Sequence, residues 1–213
     1  MAFNPSQTAQ STGILRIADG YSGTGQAAGV GTFGAFYCDT TGRTPTYSGG
    51  IVAFTPQATP QDFFTLTGNA LVICKLRIVE VWIGATAAAA MELQLVLNSA
   101  PDTGGTAAVP VAVPLDQNDI AASCALAAYS VAPTAGTTLG PIAVGRVSGP
   151  ILAGAGTVTP LVWNFSGYND KCPTLRNVNQ QVALNGNGAA LPSGIKFSIR
   201  FTWTEVLANL PGA

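Results

Sequence analysis

The chain has 213 residues, enough for one large domain or a domain with an arm, and 47% of them are hydrophobic. Only 9% are charged, far below the roughly 25% of an ordinary soluble domain, and the net charge is −1. The nine basic residues are scattered singly, which excludes the cationic stripe needed to hold nucleic acid by its phosphates.

The opening MAFNPSQTAQ has neither a basic segment nor an apolar run, so no secretory signal is expected and folding in the cytosol is. GILRIA at 13–18 reads as a short strand. Gly, Ser and Thr then dominate up to residue 50, with Tyr21, Phe33, Phe36, Tyr37 and Tyr47 spaced through them. A Gly-rich segment with separated aromatics can stay pliant until it lies on another surface. Residues 1–50 are therefore read as an arm or extended loop, and those five aromatics as candidate intersubunit contacts. Packing on its own domain is the competing reading. Residues 51–213 are read as one β domain.

Within that domain, IVAFT (51–55) and DFFTLTG (62–68) are strands separated by turn residues. In LVICKLRIVEVWIG (71–84), apolar residues alternate as Val72, Cys74, Leu76, Ile78 and then slip to Val79, Val81, Ile83. Such a slip predicts a β-bulge or a bend between sheets. No run approaches the roughly 18 uninterrupted apolar residues of a membrane span, since Lys75, Arg77 and Glu80 break the longest candidate. AAAAMELQLVLN has helical propensity but period-two order, with Met91, Leu93, Leu95 and Leu97 on one side, and is assigned to a strand. Residues 99–119 look like a long loop, because Pro110 and Pro114 exclude a central strand. Weaker strands follow at 121–131 and 141–148, and a stronger one carries Leu161, Trp163 and Phe165. VNQQVALN (178–185) ends at NGNG, a tight-turn signal.

The last strand is the plainest. In SGIKFSIRFTWTEV (193–206), Ile195, Phe197, Ile199, Phe201 and Trp203 alternate with Lys196, Ser198, Arg200, Thr202 and Thr204. Burying the five apolar side chains contributes about 10 kcal/mol before entropy is subtracted. Together the segments give eight to ten strands with Gly/Pro-rich connections. They predict an all-β antiparallel sandwich, and at this length a jelly roll.

The chemistry is sparse. The absence of histidine removes Ser-His-Asp and Cys-His machinery. Asp102-Thr103-Gly104 has the residues of an aspartic-protease motif, but that mechanism needs two carboxylates sharing a proton, and Asp and Gly are also what tight turns use. Glu80 and Glu92 could form a glycosidase-like pair, or be solvated acids on strand faces. Gly23-Thr24-Gly25 lacks the spacing of a phosphate loop. Asp116-Gln117-Asn118-Asp119 offers calcium-type oxygens, or an ordinary turn. Asn164-Phe165-Ser166 fits a glycosylation pattern but falls in a strand. Cys38, Cys74, Cys124 and Cys172 have no CxxC spacing, and Cys74 reads as a small buried hydrophobe. Trp82 would stack on a sugar ring if its strand face were open. No catalytic residue, metal or cofactor is assigned, and no enzyme is expected.

The runs ATPQDFFTLTGNALVICKLRIVEVWIG, LVLNSAPDTGGTAAVPVAVPLDQND, LVWNF and NGAALPSGIKFSIRFTWTEV, spread over residues 50–206, resemble virion structural proteins of tailed bacteriophages. That resemblance implies a β-sandwich subunit of the particle, without a catalytic signature. It implies capsid decoration or cement at the virion surface, assembled in the host cytoplasm. The implied partners are the major capsid protein and copies of the chain itself in a homotrimer, with no nucleic acid and no membrane. Tail, fibre or baseplate membership and a carbohydrate-binding sandwich are the alternatives.

Overall fold

The computed structural model describes residues 44–85, 89–149, 159–166 and 172–208, and the backbone of 29–30 and 36–37. The chain divides into two units, Met1–Arg43 and Thr44–Ala213. In the first, β1 (Gly29–Val30) pairs antiparallel with β2 (Phe36–Tyr37). Tyr21, Phe33, Cys38, the GILRIA segment and Gly23-Thr24-Gly25 lie outside the described residues.

The second unit is all β. Its strands are β3 (Thr46–Phe54), β4 (Asp62–Thr67), β5 (Val72–Gly84), β6 (Ala89–Asn98), β7 (Thr106–Ala108), β8 (Ala112–Pro114), β9 (Ala125–Val131), β10 (Thr138–Gly149), β11 (Leu161–Asn164), β12 (Thr174–Leu175), β13 (Gln181–Asn185) and β14 (Lys196–Leu207). They form a front sheet ordered β11-β5-β14-β3-β8, with β12 also on β5, and a back sheet ordered β10-β6-β13-β4-β9-β7. Every pairing is antiparallel. Setting β7, β8, β9 and β12 aside, the first, eighth, third and sixth strands share the front sheet, and the second, seventh, fourth and fifth share the back. That is jelly-roll order, so the expected architecture is present.

The long loop expected at 99–119 contains two short strands. β7 extends the back sheet and β8 the front sheet at the same flank. Pro110 lies where the chain crosses between them, and Pro114 ends an edge strand, the positions a residue without an N–H can occupy. Pro141 likewise sits in β10, at the opposite edge, where the register breaks around Gly140 and Pro141.

The core forms between the sheets around β14, which is hydrogen-bonded to β5 on one side and β3 on the other. Ile195, Phe197, Ile199, Phe201 and Trp203 are at most 2% exposed, as their alternation predicts. The phase slip in β5 is a bulge. Thr202 faces Ile78 while Trp203 faces Leu76, leaving Arg77 as the extra residue. Val72, Cys74 and Leu76 point inward before it, and Val79, Val81 and Ile83 after it. A second irregularity lies in β4, where Leu184 faces Phe64 and Asn185 faces Asp62, so Phe63 is the surplus residue. Consecutive Phe63 and Phe64 can then both enter the core, packing on Phe197 and Phe201 at ring distances of 5.1 and 4.9 Å. β6 buries Met91, Leu93 and Leu95, but Leu97 is only half-buried while Val96 and Asn98 are covered.

Two expectations need correction. Tyr47 is no docking aromatic. It lies in β3, 1% exposed, stacked on Trp203 at 5.9 Å, and its hydroxyl donates to the Ile120 carbonyl at 3.1 Å. β3 begins inside the segment assigned to the arm, because Ser48, Gly49 and Gly50 are tolerated in a strand whose neighbours supply the packing. The NGNG turn does form, with positive φ at Asn187 and Gly188 and Ala189 N–H bonded to Gly186 O at 3.1 Å. It closes no hairpin, since β13 and β14 belong to opposite sheets.

Truncating Phe201 to Ala removes a ring that touches both β14 and β4. The expected loss is about 3–5 kcal/mol, against less than about 0.5 kcal/mol for Val52→Thr at the surface, measured by denaturant unfolding.

Candidate functional site

Three places concentrate polar chemistry. The first lies over the outer face of the back sheet, where the 99–105 connection folds down. Asp62 accepts from Asn98 Nδ2 at 3.0 Å and Asn185 Nδ2 at 2.6 Å. Gln181 Oε1 accepts from Asn98 Nδ2 and from the Asp102 N–H, both at 3.3 Å, while its Nε2 donates to Thr67 Oγ1 at 3.1 Å. Asn98 Oδ1 accepts from Thr138 Oγ1 at 3.0 Å. Asp102 Oδ1 accepts from Gly136 N–H at 2.9 Å, but its Oδ2 is buried without a donor.

Asp-Thr-Gly thus acquires a second carboxylate after all, from Asp62 in the same chain. Burial, with the Asp62 charge added, pushes the Asp102 carboxyl up to about 7 despite the opposing Gly136 hydrogen bond. As an acid, Oδ2 becomes a donor toward Asp62. The pair is sealed, however, at 1% and 9% exposure. Gly104 and Gly105 have φ of 70° and 73°, so the motif is a left-handed turn, anchored by the Thr103–Thr134 bridge. Its chemistry is that of a latch holding a loop on a sheet.

The second place is Glu205, which no sequence pattern marked. It is 4% exposed and accepts from Ser123 N–H at 2.8 Å, Cys124 N–H at 3.0 Å and Trp203 Nε1–H at 2.8 Å. One carboxylate therefore ties the approach to β9, in the back sheet, to β14 in the front sheet. Cys74 lies directly opposite Glu205 in the ladder. Its thiol is pushed up by a hydrogen bond with Cys124 and by burial, and Cys74, Cys124 and Cys172 are all free and buried. The reading of Cys74 as a packed hydrophobe holds, and Cys172 is buried as well.

The third place is a groove of about 390 Å³ on the outer face of the front sheet, which Trp82, Ser198, Gly50, Val52, Val111 and Arg200 help to line. Trp82 is half-buried, and the Arg200 guanidinium lies 6.0 Å from its ring centroid. Arg200 is itself bound through Nε and Nη2 to Glu80.

The remaining candidates separate. Glu80 and Glu92 stand on different sheets, Glu92 opposite Arg146, so they form no pair across adjacent strands. Asp116 accepts from the Asn118 N–H at 2.9 Å and its carbonyl from the Asp119 N–H at 3.0 Å, which makes the acidic cluster a turn. Among the described residues no group of three or more acids and cysteines is arranged to hold a metal ion. Asn164 uses its side chain on the Ser166 N–H at 2.9 Å. Of the aromatics read as contacts, only the backbone of Phe36 and Tyr37 is described.

Two outcomes follow. The native state holds a proton on Asp102 from the ordinary carboxyl value of 3.8 up to about 7, while the unfolded chain has lost it. Stability attributable to this group therefore falls as pH rises through that window and is level above it. Asp102→Asn keeps the acceptor for Gly136 and supplies a permanent donor. It is expected to match the parent near pH 4 and exceed it by about 1–3 kcal/mol above pH 8, in urea unfolding at both pH values. Glu205→Ala leaves two buried and one half-buried N–H group without an acceptor and is expected to cost about 3 kcal/mol or more, with Glu205→Gln losing less. Comparison with known protein families, with curated proteins and with solved structures finds no match.

Proposed function

We propose that this chain is a structural virion subunit, a decoration or cement protein that binds the outside of a tailed-phage capsid. The supporting observation is that Val109, Leu115 and Ile120, in and just after the segment that carries β7 and β8, are 77%, 64% and 68% exposed. No charge interrupts residues 106–115. Large exposed apolar side chains beside a stretch free of charge suit a surface that is covered in use. An uncharged surface also loses little hydration energy when another protein covers it.

In this reading the major capsid protein and copies of the chain itself, as a homotrimer, are the partners. The sandwich acts as a rigid wall, and stabilisation of the shell comes from area buried across joints between capsomers. No reacting group is required. The same physics would serve a tail, fibre or baseplate subunit.

The purified chain is expected to elute as a trimer and to rebind shells that lack it, with bound label on the capsid in electron micrographs. Replacing Val109, Leu115 and Ile120 together by Ser should weaken rebinding at least tenfold while leaving thermal unfolding nearly unchanged. A monomer that ignores such shells would sink the proposal, and label confined to tails would move the chain to the alternative.

A further inference from the structure

The outer groove of the front sheet reaches the apolar flank at Val111 and Val113 but is built around Trp82 on β5, and its construction points to a ligand of its own. Its floor is kept low by small residues. Arg200 faces Gly50 across the β14–β3 ladder, and Ser198 faces Trp82 across the β14–β5 ladder. Gly50 cannot be enlarged, since a Cβ there would lie 2.2 Å from the Ile199 carbonyl oxygen. Beside it β3 bulges. Phe54 faces Phe197 and Ile51 faces Ile199, with Ala53 at a φ of 54° and its N–H on Ser198 Oγ at 3.3 Å. Trp82 stands as one wall and Val52 as the other, roughly 10 Å away at two strand spacings, with Val111 one strand further out. The volume of about 390 Å³ falls within the range of small-ligand sites.

We infer that this groove binds a neutral saccharide, stacked by the apolar face of one ring on Trp82 and held by its hydroxyls on Arg200 and Ser198. The indole is steadied by Arg200, and Arg200 by Glu80, so the plate is oriented before a ligand arrives. Arg200 uses Nε and Nη2 on one oxygen of Glu80, which leaves it further N–H donors, and Ser198 Oγ lines the groove beside it. Sugar hydroxyls need donors and acceptors side by side, and Arg200 and Ser198 offer both. The class is neutral because Glu80, outside the groove, already cancels the Arg200 charge, and among the described residues no charged side chain but Arg200 lines it.

The test is affinity electrophoresis of the full chain in native gels containing dextran, mixed-linkage β-glucan, xylan or galactomannan, with binding also read on a printed glycan panel. Retention by at least one neutral glycan is expected. It should fall at least tenfold in Trp82→Ala, partly recover in Trp82→Phe, and fall several-fold in Arg200→Lys, which keeps the charge and loses the planar fork. All three substitutions lie on the outer face, and thermal unfolding checks that each folds. No retention by any glycan overturns the inference, as does retention that Trp82→Ala leaves intact. If Trp82→Ala instead changes the elution volume or shell rebinding, the groove is a protein interface and the saccharide reading is wrong. Replacement of Val109, Leu115 and Ile120 that abolishes rebinding but leaves glycan retention, set against Trp82→Ala that does the reverse, makes the two proposals fail separately.

Discussion

The structure depends on the inward face of β14. This strand is hydrogen-bonded along both edges, so it cannot shift register without breaking two ladders at once. Its side-chain period is two, so a slip of one residue would put Lys196, Ser198, Arg200 and Thr202 where Phe197, Ile199, Phe201 and Trp203 now sit. The opposing surface is equally specific. Phe63 and Phe64 meet Phe197 and Phe201, and Tyr47 stacks on Trp203. Aromatic pairs of this kind add about 0.5–1.5 kcal/mol each beyond the area they bury, and they fix which layer faces which. Jelly-roll order follows from keeping this strand central in one sheet while its neighbours in sequence supply the other.

A flat ladder could not satisfy all these contacts, and three of its bulges adjust it around the core and the groove. Arg77 resets the phase of β5, so that a thirteen-residue strand keeps an apolar face at both ends. The surplus Phe63 gives the core a second ring from one turn of β4. The bulge at Val52 and Ala53 bends the end of β3 and opens the floor beside Trp82. Bulges are commonest at edges and beside sites, and here two serve packing while the third shapes the one groove argued to bind a ligand.

How far the sequence could be read follows from the range of each interaction. The alternation of β14 and the slip in β5 are local, and both appear where the pattern put them. β7 and β8 were hidden because three residues are too short to show a period and prolines flank them, features that suit an edge rather than forbid a strand. Tyr47 looked like part of a Gly-rich arm, since the Trp203 that covers it is distant in sequence. Glu205 looked like the wet end of a strand. Nothing local announces that three N–H groups from two sheets will converge on it. Asp62 and Asp102 each read as turn or strand-end acids, and only the folded 99–105 connection brings them together. The Trp82 face was legible as outward, but the groove beside it required Gly50 and Val111 from strands far apart in the chain.

The same long-range contacts explain why so little charge reaches the surface. Of ten acidic residues, Asp62, Asp102 and Glu205 are buried inside hydrogen-bond networks, and Glu80 is bound to Arg200. A composition already poor in charge is thus poorer still in free charge at the boundary with solvent. Buried carboxylates are costly unless every oxygen finds a donor, and Glu205 is fully supplied while Asp102 is not. The fold accepts that cost at the latch over the back sheet, on the face opposite the groove. The front face keeps one neutralised ion pair beside an indole, and the flank keeps bare valines, leucine and isoleucine. A solitary soluble protein gains from repulsion between charged surfaces, whereas one that is covered gains from its absence. The placement of the acids, more than their number, therefore favours a surface made to be covered.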